Sequence, residues 1–181
     1  EVGLRTSAGL RRDGAPGRWR GVAGLRRGVE ARGALGAVAE MVGGAEFAMG
    51  MAVDDAKERV QFGQPIGSFQ AVKHRCADML VDVEGMRSTV WFAACCLDGQ
   101  TDDDPSLAAS TAKVWCCDAS ERVMGSSLQV HGGIGFTWEH DLHRYIKRAQ
   151  FDRQSYGDAD HHRRRIAAGL RQRVASGVGV I

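Results

Sequence analysis

A stripe of apolar side chains recurs at alternating intervals of three and four residues from Phe69 to Val90. This pattern, sustained over about three heptads, predicts a helix that buries one face against neighbouring helices. We expect Ser68 to cap the helix, since a turn rich in Gly and Pro precedes it. A parallel two-stranded coiled coil is less favoured, because residues 93–96 widen the apolar face. The stripe consists of Phe69, Val72, Cys76, Met79, Val83, Met86 and Val90.

Helical periodicity also marks the segments on either side of this stripe. A first helix is predicted over about 29–62 and a third over about 105–130. An acidic turn and Pro105 both favour a helix start at the third segment. Thr137 is expected to cap a fourth helix, and residues 160–175 to form a fifth. The inner face of the third helix is predicted to contain Leu107, Thr111, Val114, Trp115, Ala119, Val123 and Leu128.

These segments predict an all-α fold, an antiparallel four-helix bundle with an extra C-terminal helix. The chain has 181 residues, of which 44% are hydrophobic, enough for one domain with a sizeable core. The bundle is assigned to residues 29–175 and an atypical basic leader, rich in Gly and Arg, to residues 1–28. A basic leader is one feature of nucleic-acid-binding proteins. Trp19 is its one aromatic residue and no reader motif is recognisable, so no nucleic-acid partner is expected.

Neither a membrane span nor a secretory signal is expected, because no apolar run has the required length. The five cysteines include two adjacent pairs and no C-x-x-C. This usage is typical of reduced thiols in the cytoplasm, which is the predicted location, rather than of disulfides. His140 and His143 share one helix face, but no third ligand follows at a fixed spacing, so no metal site is predicted.

Residues 129–137 read Gln-Val-His-Gly-Gly-Ile-Gly-Phe-Thr and separate the third predicted helix from the fourth. Glycine has no Cβ, so its backbone can turn sharply or come close to a ligand. The cluster therefore has two interpretations, a plain turn between helices or a backbone surface that contacts a cofactor.

Two segments together resemble the signatures of the flavin-dependent acyl-CoA dehydrogenases. Residues 59–74, Arg-Val-Gln-Phe-Gly-Gln-Pro-Ile-Gly-Ser-Phe-Gln-Ala-Val-Lys-His, are similar to the first, and residues 129–137 with Glu139 are similar to the second. The resemblance covers residues 34–170 and implies the family's C-terminal helical bundle. The family's central β-domain has no counterpart here beyond a candidate remnant in the leader, so the chain resembles a fragment or the product of a truncated gene.

The resemblance implies FAD as cofactor and an acyl-CoA thioester as substrate, oxidised to a trans-2-enoyl-CoA. It implies that Arg59 pairs with the FAD diphosphate, a role that suits a guanidinium fork. Gln61, Phe62 and Gln70 are implied to line the same site. The FAD contacts implied in the second signature are Gln129, Val130, Gly132 and Gly133.

The resemblance also implies partners for the chain. In the family, the first signature contacts the FAD of a neighbouring subunit, so a homo- or hetero-oligomer is implied, a dimer or a dimer of dimers. The electrons would pass to an acceptor such as an electron-transfer flavoprotein.

The catalytic carboxylate of the family is missing from its usual position. In many members it follows a tyrosine in a Tyr-Glu-Gly loop, whereas this chain reads Ser-Tyr-Gly-Asp-Ala-Asp over residues 155–160. The matching residue is Gly157, and Asp158 is the nearest carboxylate and our candidate base. A shift of one residue moves a group by up to about 3.8 Å, and a base must reach its proton. The alternative is that Asp158 only caps the last helix.

Other members of the family carry the base on the first bundle helix. The matching position here is Gly33, and Glu30 lies nearby but out of register. The sequence therefore supports a second function, a non-catalytic subunit or truncated remnant that keeps the bundle and the FAD surface but lacks the base.

Overall fold

The computed structural model describes residues 16–177, with side chains from residue 24 onward. It contains α1 (Pro16–Glu58), α2 (Gln70–Leu97), α3 (Pro105–His131), α4 (Leu142–Gln154) and α5 (Ala159–Ala175). The predicted all-α bundle with an extra C-terminal helix is confirmed. The structure also contains a short antiparallel hairpin after α1 that the sequence did not predict. In it, β1 (Val60–Gln61) pairs with β2 (Gln64–Pro65).

Helix α3 is the central helix and packs against each of the other four. The main apolar core lies between α1, α2 and α3, and a smaller cluster lies where α4 packs on α1 and α3. The apolar stripe on α2 is confirmed as the buried face, because Met79, Val83 and Met86 are fully buried. Removing such side chains from water is the main stabilising contribution in a bundle of this size.

The two predicted hydroxyl caps are wrong. Ser68 Oγ donates to the Pro65 carbonyl at 2.7 Å, and Phe69 occupies the N-cap of α2 without a side-chain cap bond. Thr137 Oγ1 donates to the Ile134 carbonyl at 2.9 Å, and α4 begins only at Leu142. Both hydroxyls bond a carbonyl three residues earlier, so they close a preceding 3₁₀ turn instead of opening a helix.

The predicted start of α3 is confirmed. Asp104 Oδ1 accepts a hydrogen bond from the Ser106 N–H at 2.8 Å, and Pro105 is the first helical residue. An aspartate at the N-cap and a proline at the next position satisfy the helix start in the expected manner.

Helix α1 begins earlier and ends earlier than the sequence predicts. It starts at Pro16 rather than near Val29 and ends at Glu58, before the hairpin. It therefore runs across the predicted boundary between leader and bundle, and that boundary stays a prediction. Residues 1–15 of the predicted leader lie outside the described residues.

Candidate cofactor edge and active-site corner

Arg59 joins the two segments that the sequence singled out. It follows α1 directly, and its Nη1 donates to the carbonyl of His131, the last residue of α3, at 2.6 Å. The same nitrogen lies 3.9 Å from Asp55 Oδ2, and the side chain is about one-third exposed at 37%. A guanidinium has five N–H donors, so Arg59 keeps donors for an anionic ligand while it holds the end of α3.

The turn between α1 and α2 presents a flat aromatic surface. Phe62 is 93% exposed and has a φ of +53°, which is uncommon for a residue with a Cβ. Its ring meets the ring of Phe69 edge-on, with centroids 6.1 Å apart. The predicted contacts Gln61 and Gln70 are also exposed on this segment. An apolar ring that faces out beside amide groups is suited to contact a ligand or a partner.

The glycine turn lies directly beside Arg59. Gly132 ends α3 with a φ of +61°, and a Cβ built on it would lie 3.8 Å from Arg59 Nη1. Gly133 is exposed, with nothing within 4 Å of such a Cβ, and Gln129 is exposed as well. Val130, in contrast, is buried in the main core. The Val130 side chain is therefore closed to a ligand in this structure.

We expect Gly132→Ala to destabilise the turn, because a φ of +61° with a ψ of −137° is a conformation that residues with a Cβ rarely adopt. The expected loss in the free energy of unfolding is about 1–3 kcal/mol. Gly133→Ala is the matched control, since nothing lies within 4 Å of its Cβ and its φ is not positive. Urea unfolding followed by circular dichroism measures both variants. Equal losses in the two would contradict the assignment of strain to Gly132.

A pair of neighbouring histidines behind this turn, one buried and one half-buried, is a part of the site that the sequence alone did not reveal. His131 is buried, its Nδ1 lies 2.8 Å from the Ser127 carbonyl, and its ring centroid lies 4.3 Å from that of His140. Burial, together with the neighbouring His131, lowers the pKa of His140. The position of His131 directly before Gly132 was the signal that could have revealed the pair.

A second corner of the molecule contains the loop between α4 and α5. Tyr156 has a φ of +58° and Gly157 a φ of +98°, so the chain passes through two left-handed residues in succession. Asp158 occupies the N-cap of α5, where its Oδ1 accepts from the His161 N–H at 2.8 Å. This hydrogen bond is the main cause that lowers the pKa of the Asp158 carboxyl. The carboxylate is thus ionised and already bonded.

The structure brings this loop against the start of the first bundle helix. The ring of Tyr156 packs directly on Gly33, leaving no room there for a Cβ. Glu30 lies one turn earlier on α1, and its carboxylate meets His161 Nε2 at 3.0 Å and Arg165 Nη1 at 2.8 Å. Burial raises the pKa of Glu30, but the hydrogen bond from His161 and the charge of Arg165 outweigh it and the net shift is downward.

His162 links the loop between α4 and α5 to α3. It is buried, its Nε2 donates to the Tyr156 carbonyl at 3.0 Å, and its Nδ1 lies 3.1 Å from Ser110 Oγ on α3. Burial lowers its pKa to about 4. The imidazole is therefore neutral at physiological pH and fixes the left-handed loop to α3.

We expect the stability of the bundle to fall as the pH drops from about 6.5 to about 4, because His162 titrates near 4 when folded and near 6.5 when unfolded. In this window the unfolded chain binds a proton that the folded chain does not, so acid favours unfolding by on the order of 2–3 kcal/mol. Urea unfolding at a series of pH values measures the slope. His162→Gln should remove most of it; an unchanged slope in this variant would contradict the assignment.

Two kinds of site find no support in the described part of the chain. Residues 16–177 contain no group of three or more His, Cys, Asp or Glu side chains arranged to hold a metal ion. Within the same residues, no helix combines the length and the apolar character that a membrane crossing requires.

Solved structures with the same fold define the class of domain. The chain superimposes on butyryl-CoA dehydrogenase from Megasphaera elsdenii with a TM-score of 0.73 and 30% identity, covering 78% of this chain and 36% of that one. It superimposes on a chain of the ChsE4–ChsE5 complex from Mycobacterium tuberculosis with a TM-score of 0.72 and 36% identity, covering 78% and 38%. The bundle is thus a helical domain of acyl-CoA-dehydrogenase type.

The family itself follows from the sequence comparisons. The family model described as acyl-CoA dehydrogenase, C-terminal domain, matches residues 30–171. Acyl-CoA dehydrogenase IpdE2 from Mycobacterium tuberculosis is 45% identical over 111 residues, which are 61% of this chain and 33% of that protein. The chain therefore belongs to the acyl-CoA dehydrogenase family. It spans about a third of the length of these curated and solved relatives.

Proposed function

We propose that this chain supplies the C-terminal domain of an enzyme that oxidises an acyl-CoA thioester to a trans-2-enoyl-CoA with FAD. The observation that carries the proposal is the hydrogen bond from Arg59 to the His131 carbonyl, which joins the two signature segments at one edge. A guanidinium, an open glycine turn and exposed aromatic and amide side chains are the groups that a dinucleotide diphosphate and its rings need.

The residues at this edge fit FAD. Arg59 would hold the diphosphate, the backbone at Gly132 and Gly133 would allow close approach, and Phe62 would pack on the cofactor. Gln61, Gln70 and Gln129 would offer amide hydrogen bonds, and Val130 would contribute backbone only. FAD, when bound, supplies the hydride acceptor, and the chain supplies position and charge.

The exposed faces at this edge also support the proposed partners. The side chains of Phe62 and Trp138 are 93% and 75% exposed. Large aromatic side chains this exposed often mark a surface that binds a partner. We propose that a second subunit, of this chain or of a related one, covers them and shares the FAD. An electron-transfer flavoprotein is the proposed acceptor for the reduced enzyme.

A flavin titration tests the proposal. The protein that contains this chain, with the segments or subunit that complete it, should bind FAD and show the flavin absorbance bands. Anaerobic addition of a panel of acyl-CoA thioesters should bleach those bands with at least one of them. Failure to retain flavin would reject the proposal.

Asp158 is the carboxylate that the sequence offers as base within this proposal. Asp158→Asn keeps the capping oxygen while removing the negative charge, so it separates the two roles. A loss of flavin bleaching with FAD still bound would support Asp158 as the base, and unchanged bleaching would leave it only as the cap of α5.

A non-catalytic subunit is the second candidate function. It is favoured by Gly157 at the family's base position and by the engagement of the Asp158 carboxylate with the start of α5. A complex in which bleaching persists after every acid–base side chain of the 155–161 loop region is replaced would support this candidate. A complete loss would favour the first.

A further inference from the structure

The imidazole of His161 occupies the space beside Gly157. A Cβ built on Gly157 would lie 2.6 Å from His161 Cδ2 and 3.1 Å from its Cγ. The side chain that the resemblance expects at position 157 would therefore begin where the His161 ring now lies. A side chain of a different type therefore lies against the position where the family carries its glutamate.

Glu30 orients this imidazole. Its Oε1 lies 3.0 Å from His161 Nε2, and since a carboxylate at neutral pH only accepts, Nε2 carries the hydrogen. In the neutral ring, Nδ1 is then the unprotonated nitrogen. Among the described residues, no hydrogen-bond donor to His161 Nδ1 is found, and the side chain is 47% exposed. The arrangement is a carboxylate–imidazole pair with a free basic nitrogen.

The local backbone is built to make room for this ring. Tyr156 and Gly157 both have positive φ, which glycine adopts freely but which is strained at tyrosine, and such strained residues cluster at functional sites in proteins. The strain is held by the His162 hydrogen bond to the Tyr156 carbonyl and by the packing of Tyr156 on Gly33. With a Cβ at position 157, His161 would have to move away from Glu30.

We propose that His161, oriented by Glu30, takes the α proton of the acyl-CoA in place of Asp158, an inference that rests on the proposed dehydrogenation. The Cα–H bond breaks and its proton forms a bond to Nδ1 of His161. The electron pair would stay on the carbon skeleton as the second bond between Cα and Cβ while the Cβ hydride leaves to a FAD held by another subunit, because Arg59 of this chain lies about 40 Å along α1 from Glu30. His161 is thus a catalytic residue, and Glu30 a positioning residue that stabilises the imidazolium formed.

The charges around His161 are compatible with this step. Glu30 on α1 is balanced by Arg165 on α5, so the pair can accept a proton without isolating a buried charge. His162 stacks edge-on against His161 with centroids 5.1 Å apart and, being neutral, does not repel the imidazolium. The Asp158 carboxylate accepts a hydrogen bond from the backbone N–H of His161, so it places a second negative charge near the ring.

Exchange of the substrate's α protons with D2O tests the inference. The FAD-loaded protein containing this chain is mixed with butyryl-CoA or octanoyl-CoA, and exchange is followed by proton NMR. His161→Ala should slow exchange by about 10²–10⁴-fold, the usual contribution of a general base, and added imidazole should restore part of it. His74→Ala, at an exposed position on α2, is the matched histidine control. Asp158→Asn keeps the cap of α5 but removes a negative charge near His161, so it should slow exchange far less than His161→Ala does.

Each result decides between the assignments. An exchange rate in His161→Ala close to wild type, or a loss in Asp158→Asn as large as that in His161→Ala, would overturn the inference. Protein that holds FAD but exchanges neither thioester would also overturn it. Protein that holds no FAD would instead reject the proposed function. Retained flavin and an unchanged circular dichroism spectrum in His161→Ala identify a loss of base rather than a loss of fold.

The tautomer of His161 gives a readout that is independent of turnover. Nitrogen NMR of the flavin-free protein should show the neutral ring of His161 protonated at Nε2 and unprotonated at Nδ1. Glu30→Gln should reduce this preference and slow exchange, with butyryl-CoA affinity retained. A wild-type His161 protonated at Nδ1 alone would rule out the proposed acceptor nitrogen.

Discussion

Replacing Lys113 by alanine is expected to lower the free energy of unfolding by about 3–5 kcal/mol, since it leaves a cavity and removes a buried hydrogen-bond donor at once. Lys113 is fully buried on α3, and its Nζ donates to the backbone carbonyl of Asp152 in the last turn of α4. The last carbonyls of a helix have no partner within the helix. Lys113 therefore caps the C-terminal end of α4, where the chain enters the loop between α4 and α5.

The Asp152 carboxylate adds to the expected loss in the free energy of unfolding. Burial raises the pKa of Asp152 and lowers that of Lys113, so both charged forms depend on their surroundings. Asp152 Oδ2 is buried without a hydrogen-bond partner among the described residues, and Arg148 Nε lies 3.5 Å from Oδ1. Without the ammonium group, the Asp152 carbonyl would keep only the Ser155 N–H, at 3.2 Å, and the carboxylate would lose a compensating positive charge.

Lys113→Met separates charge from volume. Methionine fills a similar space, so this variant leaves no large cavity, and we expect it to lose about 1–3 kcal/mol, the cost of the unpaired polar groups. Asp152→Asn and the double variant complete a double-mutant cycle. It measures the electrostatic coupling of the ammonium group to the Asp152 carboxylate, because the substitution leaves the backbone carbonyl in place, and we expect a coupling above about 0.5 kcal/mol. Urea unfolding measures all four proteins. An alanine variant within about 1 kcal/mol of wild type would contradict the capping role.

The interval pattern predicted the bundle well because one buried stripe per helix is what a peripheral helix needs. The prediction failed on α3, where Thr111 and Trp115 are exposed although they were assigned to the inner face. Helix α3 has neighbours on several sides, so it buries Lys113, Cys116 and Ser120 on faces that the pattern did not mark. Periodicity identifies a helix but not how many helices surround it.

The sequence also predicted the segments that form the candidate site, but not the contacts between them. The spacing of the two signatures cannot show that Arg59 bonds the carbonyl of His131, because that contact needs the ends of α1 and α3 to meet. Nor can it show that the His161 ring fills the space beside Gly157. That placement depends on the positive φ of Tyr156, which a residue with a Cβ rarely adopts and which only the packing of the loop enforces.

Replacing Arg59 by alanine is expected to weaken FAD binding by about 2–3 kcal/mol, or roughly 30- to 150-fold. Two losses combine in this variant. The guanidinium would no longer meet the diphosphate, and the His131 carbonyl would lose the donor that now lies 2.6 Å away. The second loss frees the end of α3 and the glycine turn that follows it.

Arg59→Lys distinguishes these two losses. Lysine keeps the charge but lacks the planar fork, so it cannot bond a carbonyl and a diphosphate in the same geometry. We expect an affinity between those of wild type and the alanine variant. Quenching of flavin fluorescence on titration measures the dissociation constant, and Lys57→Ala, which removes an exposed cation on the last turn of α1, is the matched control. If the Arg59 and Lys57 variants bind FAD equally well, Arg59 takes no part in FAD binding. Its hydrogen bond to His131 then serves only to hold α3 against α1.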